Sequence, residues 1–240
     1  ITNNGLWTIT GNNVTSNGDS YGTIINSGTG TITKTSVGNT DFLYVTSFSN
    51  SGTMNFNGGN LRVGGGPATT FTNTGALAFN GGSFTNQTGT TFNFNPSSTI
   101  SATAAGTFTN SGVLNLSISA DFPALINVVS TNTINGAGDL TVNSDFTIQG
   151  SINGPGILII NANSTWPSGV LNRALTVGSL RTLTIPTAGF KSLYKNLTNN
   201  GTINWQDGTI SFYSSPTITN NGLWTITGNN VTSNGDSYGT

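Results

Sequence analysis

The chain has no cysteine and no histidine, and all seven of its acidic residues are aspartate. Without cysteine there are no disulfides, and without either residue the usual ligands of zinc and copper are missing. Neither a metal nor any other cofactor is expected. Charge is scarce too: charged residues are 5% of 240, and six cations against seven acids leave a net charge of −1. That balance carries no electrostatic footprint for nucleic acid or an anionic membrane. No run of about 18 apolar residues exists, so no segment reads as a membrane-spanning helix. The opening residues lack the basic start and apolar core of a signal peptide. Because the chain opens inside a repeat, that says nothing about secretion of a parent protein. Hydrophobic residues are only 34%, so the apolar side chains must all point one way to make a core. Low hydrophobicity favours disorder only when net charge accompanies it, and here it does not.

Thr, Asn, Ser and Gly fill the chain instead, and they are arranged in repeats. Residues 1–23 and 218–240 are identical, an offset of 217 residues. The chain therefore reads as one unit of a tandem array, 1–217, followed by the first turn of the next, 218–240. A shorter frame recurs inside the unit: apolar, x, Asn or Gly, x, Gly, x, apolar, x, apolar. Its anchor glycines are Gly5, Gly28, Gly52, Gly75, Gly112, Gly138, Gly156, Gly201 and Gly222. Two residues before the anchor stand Asn3, Asn26, Asn50, Asn73, Asn110, Asn199 and Asn220, with Gly136 and Gly154 in the same place. The one lapse at an apolar position is Gly30.

The apolar residues after each anchor alternate with residues that are usually polar, the period of a strand buried on one face. Asn and Gly both tolerate a left-handed backbone, so their interchange suggests a tight bend before each strand. Anchor spacings are 23, 24, 23, 37, 26, 18, 45 and 21. Most are one turn of a parallel β-solenoid, and 37 and 45 read as two turns with an anchor lost. That predicts about ten turns per unit, a rise of about 48 Å, and both copies of the 23-residue stretch in one phase around the axis. Stacked bends would align the Asn side chains into a hydrogen-bonded ladder. Trp7, Ile32, Phe56 and Phe79 would share one inward column. Hairpins are the competing reading, since Asn-Gly occurs at Asn4-Gly5, Asn200-Gly201 and Asn221-Gly222. Hairpins call for strands about every 8–12 residues, whereas this frame returns in one direction at about twice that distance.

The ITNNG, INSG, FSNSG, FTNTG and FTNSG frames, and the stretch INGAGDLTVNSDFTIQGSINGPGILIIN at 134–161, resemble large secreted bacterial adhesins of the filamentous-haemagglutinin and autotransporter-passenger group. The resemblance implies an all-β, right-handed parallel β-helix displayed outside the cell. It carries over no catalytic residue. The function it implies is structural: a rod of stacked units at the cell surface, with adjacent units as end-to-end partners and sister fibres, surfaces or glycans as further ones.

Two other functions are weighed. A carbohydrate-active β-helix enzyme would need clustered carboxylates. Only Asp19 and Asp41 fall nearly in phase, and a turn role for each Asp is the simpler reading. An ice-binding solenoid would need ranks of Thr-x-Thr. Thr8-Ile9-Thr10, Thr31-Ile32-Thr33 and Thr182-Leu183-Thr184 exist, but the register expected of the first two becomes Asn55-Phe56-Asn57 and Asn115-Leu116-Ser117 in later turns. Residues 166–195 lack the anchor and hold Arg173, Arg181, Lys191 and Lys195, four of the six cations. With Trp166, these are the candidates for a lateral contact; the plainer reading is a loop whose charge keeps the surface soluble. Trp7, Trp205 and Trp224 are expected in the core. Sequons such as Asn13-Val14-Thr15 and Asn163-Ser164-Thr165 arise readily in so Asn- and Thr-rich a chain.

Overall fold

A computed structural model describes residues 1–12, 14–15, 22–66, 68–228 and 231–234. Among these, the regular elements are all β-strands, and the strand pairings are parallel throughout. Parallel neighbours rule out the hairpin arrangement. The chain winds as a β-solenoid of about ten turns with three faces. One turn shows the plan. Thr69–Asn73 lies on the first face, Ala76–Asn80 on the second and Ser83–Asn86 on the third; Thr90–Phe94 then returns beside Thr69–Asn73. Later, Ser151–Ile160 and Gly169–Val177 each bend across the first and second faces without a break.

Period-two patterning builds the core. Along Ala76–Asn80, Leu77 and Phe79 are buried while their neighbours are half-exposed. Inward residues stack into columns, one per register position. On the first face the column runs Ile24, Phe48, Phe71, Phe92, Leu114, Ile134, Ile152, Leu171, Leu193, Phe212. Phe71 and Phe92 stack at 4.5 Å and 13°. Phe84 of the third face meets Phe71 at 5.6 Å and Phe56 of the second face at 5.6 Å. All three faces therefore share one narrow core, to which each buried Phe contributes roughly 2 kcal/mol. The inward positions of the second face make two columns rather than one: Trp7 lies beside Ile32 and Met54, while Phe56 and Phe79 continue from Ile9 and Lys34.

The expected phase of the two identical stretches is corrected. Ile1 lies at the foot of the first-face column, where its carbonyl accepts from Ile25 N at 2.8 Å. Ten turns above it that column reaches Phe212. Ile218, the copy of Ile1, instead stands in the second-face column Leu140, Leu158, Leu175, Leu197, Ile218. Likewise Leu6–Ile9 ends the second-face ladder, whereas its copy Leu223–Ile226 ends the third-face ladder. The 217-residue offset thus spans ten turns and one face. The uneven spacings explain the shift, because the motif changes corner: the chain covers five faces, not six, from Gly75 to Gly112, but four, not three, from Gly112 to Gly138 and seven, not six, from Gly156 to Gly201, a net gain of one face.

The glycine frame is also corrected. Gly30, not Gly28, occupies the anchor place: Thr31 N and Thr53 N donate to the carbonyls of Gly5 and Gly30, and Ala76 N to that of Gly52. Nothing lies within 4 Å of a Cβ built on Gly28, whereas one on Gly75 would sit 2.1 Å from Gly52 O. The anchors are required by close approach of stacked backbones, not by a left-handed conformation. Left-handed φ occurs at Gly136 and Gly154, where glycine replaces the corner asparagine; the asparagines of the frame do not adopt it.

Candidate functional site

The corner asparagines turn inward and form three separate ladders. At the first-to-second corner Asn3 Nδ2 donates to Asn26 Oδ1 at 2.8 Å, Asn26 to Asn50 at 2.7 Å and Asn50 to Asn73 at 2.7 Å. Asn73 then donates to Gly75 O at 3.0 Å. At the third-to-first corner Asn86 donates to Asn110 at 2.7 Å, and Asn110 to Ser130 Oγ at 3.3 Å. At the second-to-third corner Asn199 donates to Asn220 at 2.7 Å. Asn86 escapes the sequence frame because FTNQTG carries one extra residue before its glycine. Buried amides need partners, and stacking supplies most of these asparagines with a second asparagine.

The candidate lateral contact is corrected for three of its five residues. Trp166, Arg173 and Lys191 are fully buried. Arg173 reaches down into the corner column that asparagine occupies elsewhere. It donates through Nη1 to Gly138 O at 2.9 Å and through Nη2 to Gly136 O at 2.6 Å and Asn153 O at 3.0 Å. A Cβ on Gly154 would sit 3.1 Å from its Nη2, so glycine there leaves room for the guanidinium. Burial pushes its pKa down, and nearby Asp139 pushes it back up. Lys191 Nζ donates to Thr187 O at 2.7 Å and to Gly189 O, closing the loop before its strand. Burial lowers its pKa and Asp207 raises it. These cations tie down backbone carbonyls, so they cannot meet a partner. Trp166 packs in the core. Arg181 and Lys195 are exposed but lie at different corners.

Sequence reasoning missed Lys34, which is buried in the column between Ile9 and Phe56. Its Nζ donates to Ser36 O at 2.7 Å and also meets Ser36 Oγ. Reading Gly30 as the anchor would have placed Lys34 at an inward position. Asp41 pairs with Arg62 on the adjacent strand of the third face. Asp19, its suggested partner, lies outside the described residues, as do Asn13 and Asp236. Among the described residues Asp121 accepts from Asn143, Asp139 from Ile157 N at 2.8 Å and Asp207 from Gly208 N at 2.7 Å.

Two surface features run along the axis. An open groove of about 740 Å³ follows the second-to-third corner; Leu125, Asn143, Asp145, Asn161, Asn163 and Arg181 are among its lining residues. It presents amide donors and acceptors, one carboxylate and one guanidinium. The third face carries an outward rank of Thr85, Thr109, Val129, Thr147, Thr165, Thr184, Asn204 and Thr225 in register. At the ends, the strands Leu6–Ile9 and Leu223–Ile226 are paired on one side only among the described residues, with Leu6 72% and Leu223 59% exposed. Comparison with family models, curated proteins and solved structures returns no match.

Proposed function

We propose that the chain is a repeat segment of an extracellular fibre or giant surface adhesin, built by continuous stacking of solenoid turns. One observation carries this reading. Asn220 accepts a hydrogen bond from Asn199 below, while its copy Asn3 donates one to Asn26 above. A single asparagine in that position serves both directions, so a ladder would run through a joint between units without interruption. The exposed apolar residues in inward columns at the two ends, Ile1 and Ile226, would be covered in the same step. Strand hydrogen bonds would lie along the fibre axis and resist bending and extension together. Near-zero net charge and the lack of cysteine suit a surface exposed to changing salt and redox conditions. The groove offers a place for polar polymers such as glycans.

Electron microscopy of a protein with several tandem units tests this. The expected result is a rod rising about 50 Å per unit, at roughly 4.8 Å per turn. Globules, or strands running along the rod, overturn it. The threonine rank favours a second reading, ice binding. Six of its eight members are threonine, but the residues two positions before them include Asn127, Asp145 and Asn163, so a second matched rank is lacking. Thermal hysteresis at micromolar protein would support ice binding, and its absence would remove it.

A further inference from the structure

We propose that successive 217-residue units in the array are rotated by one face, so that a given face recurs only at every third unit. The inference rests on the tandem-fibre reading. Its basis is the arithmetic of faces. Ten turns of three faces and one face more make 31 faces in 217 residues, or 7 residues per face. Thirty-one leaves a remainder of one on division by three, so the unit cannot close on its own phase. The second copy already sits where this requires: Ile218 is on the second face and Leu223–Ile226 on the third, each one face on from Ile1 and Leu6–Ile9.

Such a shift needs faces that can exchange roles, and the unit provides them. The same inward asparagine ladder occupies the first-to-second corner at Asn26 and Asn50, the third-to-first corner at Asn86 and Asn110, and the second-to-third corner at Asn199 and Asn220. A corner built once is therefore acceptable at all three positions around the axis. The partner at each end is a second copy of this unit, docked with its identical strands one face round. Every surface feature would then point in three directions along the fibre. The groove at the second-to-third corner of one unit would appear at the third-to-first corner of the next. It would return to its original corner after 651 residues, three times 217, about 150 Å on.

A protein of six tandem units carrying a small globular tag inserted at Val37 in each unit decides this by helical cryo-microscopy. Val37 is 94% exposed. The expected map, traced strand by strand, has consecutive copies of Leu-Trp-Thr-Ile on consecutive faces and tags returning to one face about every 150 Å. A straight rod with every copy on the same face overturns the rotation while leaving the fibre intact. Absence of a rod overturns the fibre reading itself. An untagged six-unit protein, traced in the same way, guards against disruption by the tag.

Discussion

Arg173 Nη2 lies 2.6 Å from the carbonyl of Gly136, two turns below it in the solenoid. One side chain thus ties three successive turns together at a single corner, through carbonyls that have no asparagine to serve them. Arg173→Met removes the donors and leaves Gly136, Gly138 and Asn153 carbonyls without this partner. The expected loss is about 3 kcal/mol, read as a lower urea midpoint. Arg173→Lys should recover only part of it, because a point charge cannot fork between carbonyls at different heights. Full stability in Arg173→Met would show that water replaces the guanidinium.

Asn50 accepts from Asn26 and donates to Asn73, and is 1% exposed. Asn50→Leu keeps the bulk but cuts the ladder on both sides. A destabilisation of about 2 kcal/mol is expected. Hydrogen exchange should show it locally, because turns communicate mainly with their neighbours. Faster exchange is expected around residues 45–80, with residues 180–210 unchanged. Uniform acceleration along the chain would contradict additive turns.

Gly28 and Gly75 share one sequence motif and should behave oppositely. Gly75→Ala drives a Cβ to 2.1 Å from Gly52 O and should cost about 3 kcal/mol or more, as a backbone clash that no side chain can relieve. Gly28→Ala meets open space and should lie within about 0.5 kcal/mol of the parent, or gain slightly from a stiffer unfolded chain. Thermal denaturation of the two variants side by side is sufficient.

Lys34 gives the pH dependence a sign. Burial lowers its pKa in the folded chain below the ordinary 10.5, so the unfolded chain holds the proton to higher pH. Stability is smallest below the folded value and rises as pH climbs through the interval up to 10.5. Lys191 shifts in the same direction and adds to the rise. Lys34→Met should be as stable as the parent or more so at neutral pH, since an apolar side chain replaces a buried charge. It should also lose part of the alkaline gain. Urea midpoints of both proteins between about pH 7 and pH 11 test this; identical slopes would remove Lys34 as a source.

The amino-acid sequence by itself determined the strand period, the parallel stacking in about ten turns and the apolar residues that line the axis. These follow from local rules, because alternation and bend residues act over a few positions. It also pointed to the Asn ladder along Asn3, Asn26, Asn50 and Asn73. Only the tertiary structure decided which face each strand joins. Between stacked residues a turn takes as few as 17 residues, Leu158 to Leu175, and as many as 27, Val14 to Asp41. Phase is the running total of those lengths, so one corner counted wrongly moves everything beyond it. That is why Gly28 stood in for Gly30, and why two identical stretches read as one phase. The fate of the cations was hidden for a related reason. Arg173, Lys191 and Lys34 look like solvated charges in a chain with few others. They are interior because carbonyls from the turns below and from their own loops converge on them, and no pattern in the neighbouring sequence records that convergence.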